Sequence, residues 1–279
     1  MIGARAALVA GATALALLSS AASAQEAPAP ERHWSFEGLF GTFDRGALQR
    51  GFQVYKDVCA TCHAMRLMYY RNLAEIGFTD DQVKTIASSV EVDDGPNDEG
   101  KMFTRPGRPS DHFKSPFANA KAAAFANNGA APPDLSLIVK AREGGPNHVF
   151  GVLTGFVQPA PPPEKNACAT TEAQKQPDGT TKNVLTAPAV AEGQYYNAAM
   201  PGCVIAMPPP LQEDAVKFAD GTKATVEQMA ADVATFLAWA SEPELESRKR
   251  IGVKVLLFLF VLTGMLFAVK KKVWKDVKH

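Results

Sequence analysis

Cys59-Ala60-Thr61-Cys62-His63 constrains this chain more than any other stretch. Two thiols three positions apart, followed at once by an imidazole, form the C-x-x-C-H pattern of covalent c-type haem attachment. The spacing has a physical basis. One helical turn brings both sulfurs to the two vinyl groups of a single porphyrin, and the next residue lays its imidazole over the iron. A structural zinc site needs a second ligand pair, and none has the right spacing. A thiol–disulfide redox pair makes no use of the adjacent histidine. The motif therefore calls for a fold that wraps a flat macrocycle, with Cys59 and Cys62 as thioether positions and His63 as an axial ligand.

An open position opposite His63 would bind small molecules, whereas a filled one favours electron transfer. Of the eight methionines, Met1 falls in the N-terminal leader and Met265 in the apolar C-terminal run. Met65 and Met68 lie too near His63 to reach the opposite face, and Met229 belongs to an apolar stripe. Met102, Met200 and Met207 remain as thioether candidates. Met207 stands in Ile205-Ala206-Met207-Pro208-Pro209-Pro210, where three prolines fix φ and stiffen the segment. A stiff loop holds a weak thioether ligand with little loss of entropy; a buried loop methionine is the plainer reading. Cys168 and Cys203 are left either as a disulfide, if the domain is exported, or as two buried thiols. A bridge between them contributes about 4 kcal/mol in the chain-entropy picture. It would also restrain the strand that leads to Met207.

Residues 251–269, IGVKVLLFLFVLTGMLFAV, hold a single charge, Lys254. At about 1.5 Å per residue they span roughly 28 Å, close to a bilayer core. Lys254 lies within a turn of the boundary and can snorkel. Lys270, Lys271, Lys272, Lys275 and Lys278 follow, with Trp274 as an interfacial anchor. Residues 1–24 read as a secretory leader: Arg5, a small apolar run, then Ala22-Ser23-Ala24 as the cleavage pattern before Gln25. Both features predict one topology. A domain over 25–250 is exported, 251–269 is a transmembrane anchor, and 270–279 is a cytoplasmic tail. The formal charge of zero, from 29 basic and 29 acidic residues, hides an asymmetry. Residues 25–250 hold 22 basic and 28 acidic residues, about −6, against a basic tail. That balance argues against a nucleic-acid partner.

Apolar spacing predicts a mainly helical fold with long structured loops. Asp44 caps a helix reaching about Val58, with Leu48, Phe52 and Tyr55 on one face. Residues 65–74 and 80–90 read as shorter helical pieces, and 135–142 as a helix stopped by Gly144-Gly145. Thr225-x-x-Gln228 resembles a capping box, followed by the stripe Val226, Met229, Val233, Phe236, Leu237 and Ala240. Residues 91–133 and 157–224 read as irregular, and strand signal is weak throughout.

Several stretches together, WSFEGLFGTFDRGALQRGFQVYKDVCATCH, ANNGAAPPDLS, VKAREGG, and IAMPPPL followed by FLAWASEPE and the C-terminal apolar run, resemble the cytochrome c1 family. That family supplies the haem subunit of the cytochrome bc1 complex, ubiquinol–cytochrome c reductase. The resemblance runs from about Trp34 to the C-terminus, with an expanded loop near 160–195. It implies a cytochrome c-like haem domain, one covalent haem c, and one C-terminal transmembrane helix. It implies Met207 as the second axial ligand of the haem iron. The family's propionate-contacting arginine falls on Arg142, and the asparagine and proline lining its haem pocket fall on Asn127 and Pro133. Relatives commonly carry tyrosine where this chain has His148. A Cys168–Cys203 disulfide is similar to one in some bacterial members. Cytochrome b, a Rieske iron–sulfur protein as donor, a cytochrome c as acceptor and membrane lipid are the implied partners, within a dimeric complex. The implied location is a bacterial inner membrane with the haem domain in the periplasm. Glu91, Asp93, Asp94, Asp98 and Glu99 crowd into nine residues. They make a docking face expected to meet a lysine-ringed cytochrome c. A free-standing anchored shuttle is usually tethered N-terminally and has a smaller haem domain. A haem sensor or peroxidase would leave the iron open.

Overall fold

The computed structural model describes residues 31–177 and 179–277; the leader expected at 1–24 lies outside the described residues. Asp44 caps helix α1 (Arg45–Asp57) by accepting from the backbone amides of Gly46 and Ala47 at 2.8 and 3.1 Å. The predicted stripe is the buried face: Leu48, Phe52 and Tyr55 are all inside, joined by Val54. After the Cys59–His63 motif, residues 65–74 give a turn and then a 3-10 helix over Tyr70–Ile76, rather than a continuous helix. Helix α2 (Asp80–Ser88) is closed at its start by a full capping box between Thr79 and Gln82.

Three small antiparallel hairpins and a short helix occupy stretches that read as irregular. Strand β1 (Glu91–Asp94) pairs with β2 (Phe103–Pro106). Helix α3 (Ala120–Ala126) is capped by Asn119. Strand β3 (Thr170–Lys175) pairs with β4 (Thr181–Thr186), and β5 (Tyr195–Tyr196) with β6 (Val204–Ile205). The first two hairpins stand out from the core. All of β3 is exposed, so no hydrophobic alternation marks it in the sequence.

The helix expected at 135–142 is absent; that stretch is a series of turns. Gly144-Gly145 does not stop a helix but starts one. Gly145 stands at the N-cap of α4 (Pro146–Thr154), with Pro146 at its first position. Helix α5 (Val226–Ser241) carries the predicted stripe: Met229, Val233, Phe236, Leu237 and Ala240 are buried and Val226 is partly so. Thr225 caps it by accepting from the Gln228 amide at 3.1 Å. The Gln228 side chain does not close a box; it donates to Asp232 at 2.9 Å. After a short break, α6 (Leu245–Val273) takes in the predicted 251–269 span and adds turns at both ends.

Helices α1 and α5 cross at Gly51. A Cβ there would lie 2.1 Å from the Asp232 carbonyl oxygen and 2.7 Å from the Phe236 Cβ. Arg50, next in the chain, grips the buried Asp232 carboxylate with two bonds of 2.8 and 3.1 Å and reaches Asp220 at 2.7 Å. The crossing is surrounded by rings: Phe52 and Tyr55 both lie within 6 Å of Phe236, which packs on Trp239. Gly51→Val is expected to force the helices apart and destabilise the domain by about 1–3 kcal/mol, the usual range for overpacking. Gly252→Val, with nothing within 4 Å, serves as the control that leaves stability unchanged. Denaturant unfolding of the full chain in detergent checks the pair.

Candidate functional site

The motif cysteines come directly after α1. Cys59–Thr61 forms one turn of 3-10 helix, and the Cys59 carbonyl accepts from both the Cys62 and His63 amides, at 3.1 and 2.9 Å. Thr61 Oγ1 donates to the Val58 carbonyl at 2.7 Å, pinning this turn to the end of α1. The Cys59 and Cys62 thiols are not paired with each other. Burial, and then the neighbouring Cys62, pushes the Cys59 thiol up to about 12.

His63 is fixed from the far side. Its Nδ1–H donates to the Pro133 carbonyl at 2.8 Å, since a carbonyl can only accept. The proton is thereby held on Nδ1 and the Nε2 lone pair is left as the ring's donor to a metal. Burial draws the imidazole pKa below its ordinary value, against the opposing pull of the Pro133 carbonyl and the Asp134 carboxylate. The neutral ring is the form that ligates iron.

That bond is one rung of a ladder between two loops. The Leu135 amide donates to the Ala64 carbonyl at 2.8 Å, the Arg66 amide to Asp134 Oδ2 at 3.0 Å, and the Leu67 amide to Ser136 Oγ at 3.1 Å. Asp134 Oδ1 also accepts from the Ser136 amide at 2.8 Å, which shapes its own loop. Tyr55, buried in the core, donates its phenol to the His63 carbonyl at 3.3 Å. Sequence reasoning singled out Pro133 but missed Asp134, Ser136 and Tyr55 as parts of the site. The Asp-x-Ser spacing after two prolines is a turn signal that points to the first two.

Met207 lies on a separate segment with its own support. It comes just after β6 and is half-buried. The Cys168–Cys203 disulfide is formed, with its Cα atoms 5.8 Å apart, and Cys203 is wholly buried. Asn197, also wholly buried, accepts the Ala199 amide at 3.0 Å and donates its side chain to the Val152 carbonyl at 2.7 Å. Its own amide donates to the Cys203 carbonyl at 3.0 Å. Asn197 thus ties α4 to the disulfide-bearing turn, a role with no signal in the sequence. Asn127 caps the end of α3, half-buried, and donates to the Ala123 carbonyl at 2.8 Å. Arg142 is exposed, its guanidinium on the Ala141 carbonyl at 3.1 Å. Of the expected pocket residues, Pro133 contacts His63 directly, while Asn127, Arg142 and Met207 are placed by other elements.

The residues present fit a covalently held haem. The two thiols and the imidazole sit on consecutive turns of one segment, with the imidazole tautomer set for metal binding. Leu67 and Leu137, on either side of the ladder, are 59% and 47% exposed, apolar surface of the kind a porphyrin covers.

The acidic stretch is the β1–β2 hairpin. Glu91, Asp93, Asp98 and Glu99 are exposed along it. Asp94 differs, because the Arg105 guanidinium holds it directly. Arg105 also binds Asp111 at 2.6 and 3.0 Å, and the Arg108 amide donates to Asp111 at 2.7 Å.

An imidazole-bearing thiol turn locked to a proline carbonyl, on a helical domain continued by a long apolar helix, defines the class: a haem domain on an apolar helical tail. Helix α6 is long and apolar enough to cross a membrane and is not buried against the domain. The chain belongs to the cytochrome c1 family, whose model matches residues 34–277. It is 50% identical to cytochrome c1 of Rhodospirillum rubrum over 275 residues, 98% of this chain and 97% of that one. It is 49% identical to cytochrome b/c1 of Bradyrhizobium diazoefficiens over 88% of its own length but only 36% of that relative's. It is 43% identical to a mitochondrial cytochrome c1 haem protein of Arabidopsis thaliana, over 97% of this chain and 81% of that one.

Arg105 sets the pH behaviour of the hairpin. Its guanidinium lowers the Asp111 carboxyl to about 2 and holds Asp94 below the usual carboxylate range. Depressed folded-state values stabilise above the unfolded pKa, near 3.9, and that support fades as pH falls through the folded value. The hairpin is therefore expected to be unchanged from pH 7 to about pH 4 and to loosen towards pH 2. Carboxyl-carbon NMR titration of Asp111, and its loss of depression in Arg105→Gln, checks this.

Proposed function

We propose that this chain is the electron-transfer subunit of ubiquinol–cytochrome c reductase, the cytochrome bc1 complex, bearing one covalent haem c. The single observation that carries the reading is the His63 Nδ1–Pro133 carbonyl bond behind a Cys59-Ala60-Thr61-Cys62 turn, in a chain of the cytochrome c1 family. Haem c, when bound, supplies the one-electron couple through which the complex passes charge from a Rieske iron–sulfur protein to a cytochrome c. Cys59 and Cys62 would hold it as thioethers. His63 Nε2 and the Met207 sulfur would take the two axial positions. Imidazole–thioether ligation would raise the potential of that couple. Arg142 would offset a propionate, and Asn127 and Pro133 would line the pocket. The chain contributes no bond-making chemistry of its own to the reductase. It would orient the cofactor.

The leader, exported haem domain over 25–250, anchor over 251–269 and cytoplasmic tail over 270–279 make one consistent layout, with the haem domain in the periplasm of a bacterial inner membrane. The name of the Bradyrhizobium relative joins cytochrome b to c1, which supports cytochrome b as a neighbour. A Rieske protein and a cytochrome c complete the partner set, within a dimeric complex.

The exposed acids of the hairpin would dock a basic cytochrome c. Asp94 is engaged by Arg105, so Glu91, Asp93, Asp98 and Glu99 are the residues free to steer an encounter.

Met207→Leu is expected to abolish the six-coordinate spectrum, admit carbon monoxide to the reduced iron, and lower the midpoint potential by on the order of 0.1 V, within the range axial ligation spans. An unaltered optical spectrum and potential would remove Met207 from the ligand set. Purification in mild detergent through a C-terminal tag is expected to recover a b-type cytochrome and an iron–sulfur protein; recovery of the chain alone counts against the complex. In that preparation, Asp93→Lys with Asp98→Lys should slow reduction of soluble cytochrome c about tenfold at low ionic strength, an effect that shrinks as salt rises. Equal rates at low salt would discard the docking face.

A further inference from the structure

The segment Trp34 to Phe43 divides its large apolar side chains in two. Trp34, Phe36 and Phe43 are buried, with Phe36 packed on Phe43 at 4.7 Å between ring centroids. Leu39 and Phe40, at the tip between them, are 55% and 81% exposed. Nothing in the local fold obliges an apolar tip. The turn itself is made by glycines: Gly38 has φ +67°, and a Cβ on Gly41 would lie 1.9 Å from the Glu37 carbonyl oxygen. Two adjacent large apolar residues held out by a well-built turn need a cover.

The position of that turn says what covers it. Lys249 of α6 donates its ammonium to the Phe36 carbonyl at 2.6 Å and to the Gly41 carbonyl at 3.2 Å, one on each side of the Leu39-Phe40 tip. The Phe43 amide donates to Glu246 Oε1 at 2.8 Å, and Arg45 meets Glu246 Oε2 at 2.8 Å. The turn is therefore bolted to the first turns of α6, and Lys249 lies two residues before the apolar span that starts at Ile251. At about 1.5 Å per residue this is the level of the lipid headgroups if α6 crosses the bilayer. Arg248 is paired with Glu242 and Lys249 is engaged by the two carbonyls, so both of these charges are already balanced within the chain. Exposed aliphatic and aromatic side chains at headgroup depth match an interfacial membrane contact.

We propose that the Leu39-Phe40 tip is a second membrane contact, inserted among phospholipid headgroups and upper acyl carbons beside α6. A single spanning helix can itself tilt in the bilayer and would carry the domain with it. A second contact bolted to that helix fixes the domain's inclination to the membrane plane. The proposal rests on α6 spanning the membrane and goes beyond the electron-transfer reading.

The test places the photo-cross-linker benzoylphenylalanine at position 40 of the full chain in its native membrane and identifies adducts by mass spectrometry. Positions 258 and 260 lie on opposite sides of α6 and report on the span; position 125, a 92% exposed phenylalanine on α3, reports on the aqueous face. Phospholipid adducts are expected at 40 and at 258 or 260, at least tenfold above those at 125. Adducts of position 40 to another polypeptide, or none while 258 or 260 captures lipid, overturn the second contact alone. Lipid capture equal at 40 and 125 overturns it as well. Absence of lipid at 258 and 260 together brings down the spanning helix and the proposal with it.

Discussion

Gly51 stands so close to the Asp232 backbone that no side chain fits between α1 and α5, and much of the domain is arranged around that approach. Because the two backbones nearly touch, Phe52 and Tyr55 on one helix reach Phe236 on the other, and Phe236 packs on Trp239. The Arg50–Asp232 pair lies at the same level. A buried carboxylate is costly unless paired and hydrogen-bonded, and here two guanidinium bonds and Gln228 satisfy it. The crossing is thus held by apolar burial and guarded by a polar clamp that tolerates little sliding.

Both helices of this crossing also set the position of the segment that each one leads into. The thiol turn begins two residues after α1 ends, so the positions of Cys59, Cys62 and His63 are set by the packing of α1. After α5 the chain breaks briefly and enters α6, whose first turns are tied back to the Trp34–Phe43 segment. The thiol turn and the apolar helix therefore attach to one rigid pair of helices. For the electron-transfer role proposed above, rigid placement of that turn relative to α6 matters, because transfer depends on distance.

His63 and Met207, the two residues proposed as ligands, are held by different kinds of restraint. His63 is oriented by a hydrogen bond from its own ring and by a ladder in which backbone amides donate to the Ala64 carbonyl and to the Asp134 and Ser136 side chains. Met207 has a soft sulfur with no strong directional bond of its own, and its segment is stiffened by three prolines, a disulfide and the buried Asn197. The difference arises from chemistry. An imidazole has a second nitrogen that can be anchored; a thioether has none, so its backbone must be held instead.

Motif and composition alone picked out the thiol–imidazole turn, the apolar C-terminal helix and the buried faces of α1 and α5. Each depends on local spacing: thiols three apart, a continuous apolar run, or a period of 3.6 residues. The choice among three candidate methionines stayed open until the family resemblance implied Met207, because two residues 144 positions apart leave no local trace of a shared role. Tertiary structure decided that Gly144-Gly145 opens a helix, that the acidic stretch is a hairpin with Asp94 already claimed by Arg105, and that Asp134, Ser136 and Asn197 hold the site together. A polar side chain becomes a support only when folding brings a distant backbone group within hydrogen-bonding reach, and the order of residues along the chain does not record that distance.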